Sequence, residues 1–179
     1  MAVHYCDFAP DDPWHGPYHD TEYGFPIRDD AVLFERLALE VNQAGLSWLT
    51  VLKKRPAFSQ AFAGFVPARV AAFDDGDRQR LLADAGIIRN RLKVDAVIHN
   101  AGVVLGLIRD HASFSGWLDS HHPLEHADWV RLFKQTFRFT GDEITREFLL
   151  STGYLQGAHR SDCPVACRIA ALSPPWMAT

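Results

Sequence analysis

Between residues 90 and 108 the apolar residues Val94, Val97, Ala101, Val104 and Ile108 recur at alternating spacings of three and four. That is the period of an α-helix, and it gathers them into one stripe that has to be buried against other elements. Two-residue alternation, the signature of a half-buried strand, is nowhere convincing. Helix signals take its place. Asp29 and Asp30 offer N-caps for a helix reaching about Ala44, where Gly45 interrupts it. Ser47 caps a second, short helix that Pro56 ends just after the basic run Lys53, Lys54, Arg55. Pro67 suits the first turn of another, and Asp77 caps one that closes at Gly86. Two more helices are expected at about 126–136 and 142–152. Residues 1–28, rich in Pro, Gly, aromatics and His, read as an irregular packed segment, as does the stretch from Gly153 onward. With no internal repeat and no linker, the expectation is a single all-α domain over 1–179.

Both irregular ends carry soft metal ligands. Cys6 and His19 lie near one end, and His159 and Cys163, with three residues between them, near the other. Thiolate and imidazole are the ligands Zn²⁺ prefers, and four of them close a tetrahedron with no position left for water. Such a site is structural, tying two ends that no regular element joins, and it is not the open site of a zinc hydrolase. Taken singly, Cys6 reads as a buried thiol and His19 as a surface residue, and Cys167 is an alternative to Cys163. His121, His122 and His126 read as a solvated loop around Pro123. Residues 1–10 lack a basic-then-apolar leader pattern, and the longest apolar stretch, 96–108, is broken by His99 and Asn100. The three cysteines therefore read as thiols or ligands and not as disulfides, in a cytoplasmic protein with no membrane partner. A formal net charge of −4 argues against a generally polyanion-binding surface but leaves room for a local basic patch.

Two further features carry chemistry. Leu33, Leu37, Glu40 and Ala44 share one helical face, so a carboxylate stands in a stripe that should be apolar. Either Glu40 lies at the edge, paired with an arginine such as Arg36, or it points into a pocket and awaits a ligand's donors. Tyr18 and Trp48 are aromatics placed to line that pocket. The second feature is the run from Leu82 to Val94, which turns at Gly86 and carries Arg89, Arg91 and Lys93 with no acid among them. A helix–hairpin–helix of this kind exposes backbone N–H groups at a helix N-terminus, where a phosphate fits. An ordinary turn with solvated charges is the plainer alternative.

In combination, the blocks Tyr18-His-Asp-Thr-Glu-Tyr-Gly24, Leu39-Glu40 with Gln43-Ala-Gly-Leu-Ser-Trp48, Thr50-Val-Leu-Lys-Lys-Arg55, Ala85-Gly-Ile-Ile-Arg-Asn-Arg91, Phe137-Arg-Phe-Thr-Gly141 and His159-x-x-x-Cys163 resemble the type I 3-methyladenine DNA glycosylases of the helix–hairpin–helix superfamily. The resemblance spans nearly the whole chain. It implies an all-α fold whose terminal segments are tied by one structural Zn²⁺ on Cys6, His19, His159 and Cys163. It makes Glu40 the catalytic residue and Tyr18, Trp48, Phe8 and His15 the substrate-binding ones, and it puts Gly86, Arg89, Arg91 and Lys93 on the DNA backbone. It further implies a monomeric, monofunctional enzyme, cytoplasmic and nucleoid-associated as in bacteria. Acting on double-stranded DNA with alkylated bases, the enzyme releases chiefly 3-methyladenine by hydrolysis in base excision repair. The physics is coherent: a base must leave the stack to be reached, and alkylation makes adenine cationic, so aromatic faces and a carboxylate attract it.

The chain departs from the family pattern at Phe8 (usually Trp), His15 (usually aromatic), Val41 and Leu92 (usually Gly), and at Asp142, Glu143, Arg146, Glu147 and Leu150. These bear on the lesion. The alternatives are a glycosylase for another alkylated purine or a catalytically silent DNA-damage binder. Asp142 and Glu143 favour the silent binder, and retention of Glu40, Tyr18 and Trp48 speaks against it.

Overall fold

Val94, Val97, Ala101 and Val104 are buried along the longest helix of the computed structural model, which describes residues 4–178. Residues 1–3 and 179, part of the expected domain span and of the stretch read for a leader, lie outside the described residues. In chain order the helices are α1 (Tyr5–Phe8), α2 (His15–Thr21), α3 (Asp30–Gln43), α4 (Trp48–Ala61), α5 (Pro67–Ala71), α6 (Asp75–Ala83), α7 (Arg91–His111), α8 (Phe114–His121), α9 (His126–Thr136), α10 (Asp142–Ser151) and α11 (Pro164–Ala170). Short 3₁₀ turns occupy Ala63–Phe65 and Pro175–Met177. Among the described residues there is no strand, and no helix is long and apolar enough to cross a membrane.

The packing centres on α3. Asp29 caps it by accepting from the Val32 N–H at 2.9 Å, and Leu33, Phe34, Leu37, Ala38, Leu39 and Val41 are all buried. Burial that wraps most of a helix means neighbours on several sides; here α4, α7, α8 and α10 all pack on α3. The stripe of α7 faces α3, α5, α6 and α8, and at about 1.5–3 kcal/mol for each large apolar side chain this core dominates the stability.

Several boundaries differ from those read in the sequence, each for a local reason. Pro56 sits inside α4, which runs on to Ala61. Its ring removes one backbone donor, but Val51 and Leu52 before it and Phe58 and Ala61 after it all bury, and that gain carries the helix through. Asp74, not Asp77, caps α6: its carboxylate accepts from the Asp77 N–H at 3.0 Å, and Asp77 sits three residues on as the other half of a capping box. The helix ends at Ala83, so Gly86 belongs to the turn. The terminal segments are not wholly irregular, because α1, α2 and α11 form there, each too short to show a period. The helix α8 also went unseen, although Ser113 caps it and Phe114, Trp117 and Leu118 are buried. His121 closes α8 and His126 opens α9, so these imidazoles are not one loop.

Lys93 corrects a functional expectation. Grouped with the basic hairpin in sequence, it is 5% exposed, and its Nζ donates to the carbonyls of Asn42 (2.8 Å) and Ala44 (2.6 Å). The last carbonyls of a helix lack intrahelical partners, and α3 has no basic residue in its own last turn. Lys93 supplies that cation from α7, so its ammonium is not free for a phosphate. Replacing it by Met keeps the stem and removes the bonds. Charged hydrogen bonds are worth about 1.5–3 kcal/mol each, so Lys93→Met is expected to lower the thermal midpoint by several degrees. An unchanged melting curve would show that the two carbonyls do not need it.

Candidate active site

Glu40 does lie inside. Its side chain is 4% exposed on the inner face of α3, and among the described residues no protein group donates a hydrogen bond to it. Burial, and after it the negative charge of Glu147, pushes its pKa up to about 8, against the pull of Arg36. Tyr18 comes from α2 and Trp48 opens α4, and their rings meet at 5.2 Å with a 56° tilt. The Tyr18 hydroxyl and the Trp48 Nε1–H are both buried without a protein partner. Unmatched buried polar groups are rare in native folds, and here two of them belong to residues that the sequence nominated for one pocket with Glu40.

Arg36 is not the surface partner of Glu40 that the edge reading required. Its guanidinium is 1% exposed, lies 4.8 Å over the Tyr18 ring and donates through Nη2 to Glu22 Oε2 at 2.9 Å. Its Nε and Nη1 remain unpartnered. Glu22 also accepts from Arg55 Nη1 at 2.7 Å, and Arg55 forks onto Glu35 at 3.0 and 2.9 Å. This chain of ion pairs fixes the end of α2 against α3 and α4, and so holds Tyr18 in place.

Two residues of this region, Tyr23 and Tyr5, were not singled out as site residues in sequence. Tyr23 donates its hydroxyl to Glu147 Oε2 at 3.1 Å, and its ring lies 5.7 Å from that of Tyr18. Tyr5 packs edge-on against Tyr23 at 5.3 Å and accepts or donates a 3.0 Å hydrogen bond with His15 Nδ1. Phe8 and His15 pack on Tyr5 at 5.4 and 5.5 Å, so they reach Tyr18 through two intervening rings. Tyr23 stands in the block that begins at Tyr18, which was its signal; Tyr5 had none beyond an aromatic-rich terminus.

At the other end of this aromatic cluster, Cys6, His19, His159 and Cys163 offer ligand atoms that all lie within 4.8 Å of one another. Cys6 Sγ and Cys163 Sγ are each 3.6 Å from His159 Nδ1, and Cys163 Sγ is 3.8 Å from His19 Nε2. The far nitrogens are engaged: His159 Nε2 with the Tyr23 carbonyl at 2.8 Å, and His19 Nδ1 with Asp20 at 2.7 Å. Donation there leaves a lone pair on each inward nitrogen, as a metal ligand requires. Arg160 pairs with Asp7 beside the cluster. Cys167 is exposed and outside the group.

The hairpin at residues 84–90 is built tightly. The Gly86 N–H donates to Asp84 Oδ1 at 2.7 Å, and a side chain at Gly86 would stand 3.0 Å from the Ala57 methyl. Lys54 of α4 donates to the carbonyls of Ala85 (3.0 Å) and Gly86 (3.1 Å). Asn90 caps α7 by accepting from the Lys93 N–H at 3.2 Å, and Arg89 and Arg91 project into solvent on either side of it.

Known proteins share this sequence and fold. The methyladenine glycosylase family matches residues 8–131. DNA-3-methyladenine glycosylase 1 of Escherichia coli is 37% identical over 167 residues, covering 83% of this chain and 89% of that protein. The DNA-3-methyladenine glycosylase of Haemophilus influenzae is 34% identical, covering 85% and 95%. A structure addressing 3-methyladenine recognition by the 3-methyladenine DNA glycosylase I of Staphylococcus aureus superposes with a TM-score of 0.82 at 33% identity, over 92% of this chain and 97% of that one. A crystal structure of 3-methyladenine DNA glycosylase I gives 0.79 at 36% identity, over 89% and 97%. The chain belongs to the methyladenine glycosylase family.

Proposed function

We propose that this chain, as one monomeric helical domain, is a monofunctional DNA glycosylase. It takes an alkylated purine, chiefly 3-methyladenine, out of double-stranded DNA and hydrolyses its N-glycosidic bond in base excision repair. The observation that carries this is the pocket's unmet polarity. A buried carboxyl, a phenol and an indole N–H, none with a protein partner, lie where α2, α3 and α4 meet, with Glu40 close enough to act on Tyr18 and the Tyr18 and Trp48 rings in contact. A flipped purine cation answers each of them. Its positive face suits the rings, its N–H groups suit Glu40, and its charge allows Glu40 to ionise. Water then attacks the sugar's anomeric carbon as the bond to the purine breaks, the bond's electron pair leaves with the base, which departs neutral because it was already cationic, and the attacking water loses its proton to bulk solvent. Glu40 acts by recognition and by stabilising positive charge on the sugar.

The cluster at the joined ends fits one Zn²⁺. Bonds of about 2.0–2.3 Å to four tetrahedral ligands put ligand atoms about 3.3–3.8 Å apart; the Cys6–His159, Cys163–His159 and Cys163–His19 distances fall there, and all four ligand atoms lie within 4.8 Å of one another. Cys6, His19, His159 and Cys163 would hold the ion, whose contribution is to fasten the two ends together. The hairpin, with Gly86, Arg89 and Arg91, is the surface we assign to the phosphate backbone.

Three outcomes are expected. Glu40→Gln preserves size and folding but presents an amide donor, so single-turnover excision from 3-methyladenine DNA should fall roughly 10–100-fold while affinity for abasic-site DNA holds. The same variant reports on stability. A glutamate raised in the fold to about 8 is stabilising while neutral, and that stability drains away as pH climbs from the ordinary glutamate range through about 8. Glu40→Gln should lack this slope and melt above wild type at the alkaline end. A wild-type rate in the variant would remove Glu40 from the reaction.

Purified protein should contain one zinc per chain by elemental analysis, and stripping it with a strong chelator should lower the melting temperature and loosen both ends to proteolysis. Metal-free protein of undiminished stability would refute the site. Changing Arg89 and Arg91 together to Ala should weaken binding to abasic-site DNA and flatten its dependence on salt by about two phosphate contacts' worth. An unaltered salt slope would mark these arginines as solvent-facing only.

A further inference from the structure

Glu147 is an acidic side chain of this region that the reaction above leaves without a role, and its charge raises Glu40 more than that of its neighbour Glu143 does. It is 27% exposed, lies on α10 where that helix packs on α3, and holds two hydrogen bonds: Oε2 accepts from the Tyr23 hydroxyl at 3.1 Å and Oε1 from Arg146 Nη1 at 2.9 Å. Tyr23 in turn packs against Tyr18, which packs against Trp48. The carboxylate therefore borders the tyrosine pair, close enough for its charge to act on Glu40. Resting on the glycosylase reading, we propose that Glu147 is a second recognition carboxylate of the pocket, which with Glu40 selects purines made cationic by alkylation at a ring nitrogen.

Two acids on one small pocket make its empty state hold a proton, because like charges in a poorly hydrated space oppose joint ionisation. Glu147 is pushed up by its burial, and its charge in turn raises Glu40. A cationic base relieves both acids at once, whereas an undamaged, neutral purine relieves neither. The pocket thus discriminates by charge as well as by shape. The charged and titratable groups around Glu40 are Arg36 on its own helix, Tyr18 from α2, Tyr23 after it, and Glu143 and Glu147 from α10, with Arg146 on Glu147.

The test is single-turnover excision from 3-methyladenine DNA between pH 5 and 9 for wild type, Glu147→Gln, Glu147→Ser and Tyr23→Phe. Both Glu147 variants should be about tenfold slower at the alkaline plateau. Their pH midpoint should lie below that of wild type, because a neutral neighbour lets Glu40 ionise earlier. Tyr23→Phe keeps both carboxyl groups and should move the midpoint less than either Glu147 variant does. If Glu147 only anchors Tyr23, all three variants would lose rate alike with no movement of the midpoint, and the inference falls. It falls equally if the Glu147 variants match wild type. A wild-type protein that releases no 3-methyladenine would instead overturn the glycosylase reading itself.

Discussion

A charged group can lie in an apolar interior only if the fold supplies its counterpart, and α3 buries two such groups on opposite terms. Arg36 is matched by Glu22, which Arg55 and Glu35 extend into a ladder between helices. Glu40, one helical turn further on, is left unmatched. The arrangement of α2, α4 and α10 around α3 follows from these two needs. The first is met in part by protein, through Glu22, and the second is left without a protein donor. Removing one partner of a buried ion pair typically costs 3–5 kcal/mol, so the matched half also guards the geometry of the unmatched half.

Much of this was legible in the residues. The α7 stripe and the Asp29 cap follow from spacing alone, because each is a local pattern with a single physical meaning. For Glu40 and for the Cys and His residues at the ends, the spacing left a plainer alternative that the fold had to decide. Where the reading failed, the deciding term was tertiary. Pro56 is a helix breaker until the buried residues on both sides of it are counted. Lys93 is a basic tooth of the hairpin until the open carbonyls at the end of α3, some fifty positions earlier, are seen to need it. The helices α1, α2 and α11 are shorter than two turns of pattern, so no period exists to find. Glu147 was noticed only as a departure from a familiar pattern, and its meaning lies in a tyrosine 124 positions away.

The two ends of the chain meet beside the pocket and not at a remote edge. His159 bonds to the Tyr23 carbonyl, and Tyr23 borders Tyr18. Fastening the termini and shaping the pocket are therefore one structural task, which explains why an otherwise irregular segment carries so many aromatic rings.

Lys54 and Lys93 form a crossed pair of ties. Lys54 reaches from α4 to the hairpin carbonyls, and Lys93 reaches from the helix after the hairpin back to the turn before α4. The hairpin and the pocket floor are thereby one rigid gauge. On the glycosylase reading, a phosphate seated at one end fixes where a nucleotide must be found at the other. Displacing a lysine at either tie would therefore be felt at both the hairpin and the end of the helix that carries Glu40.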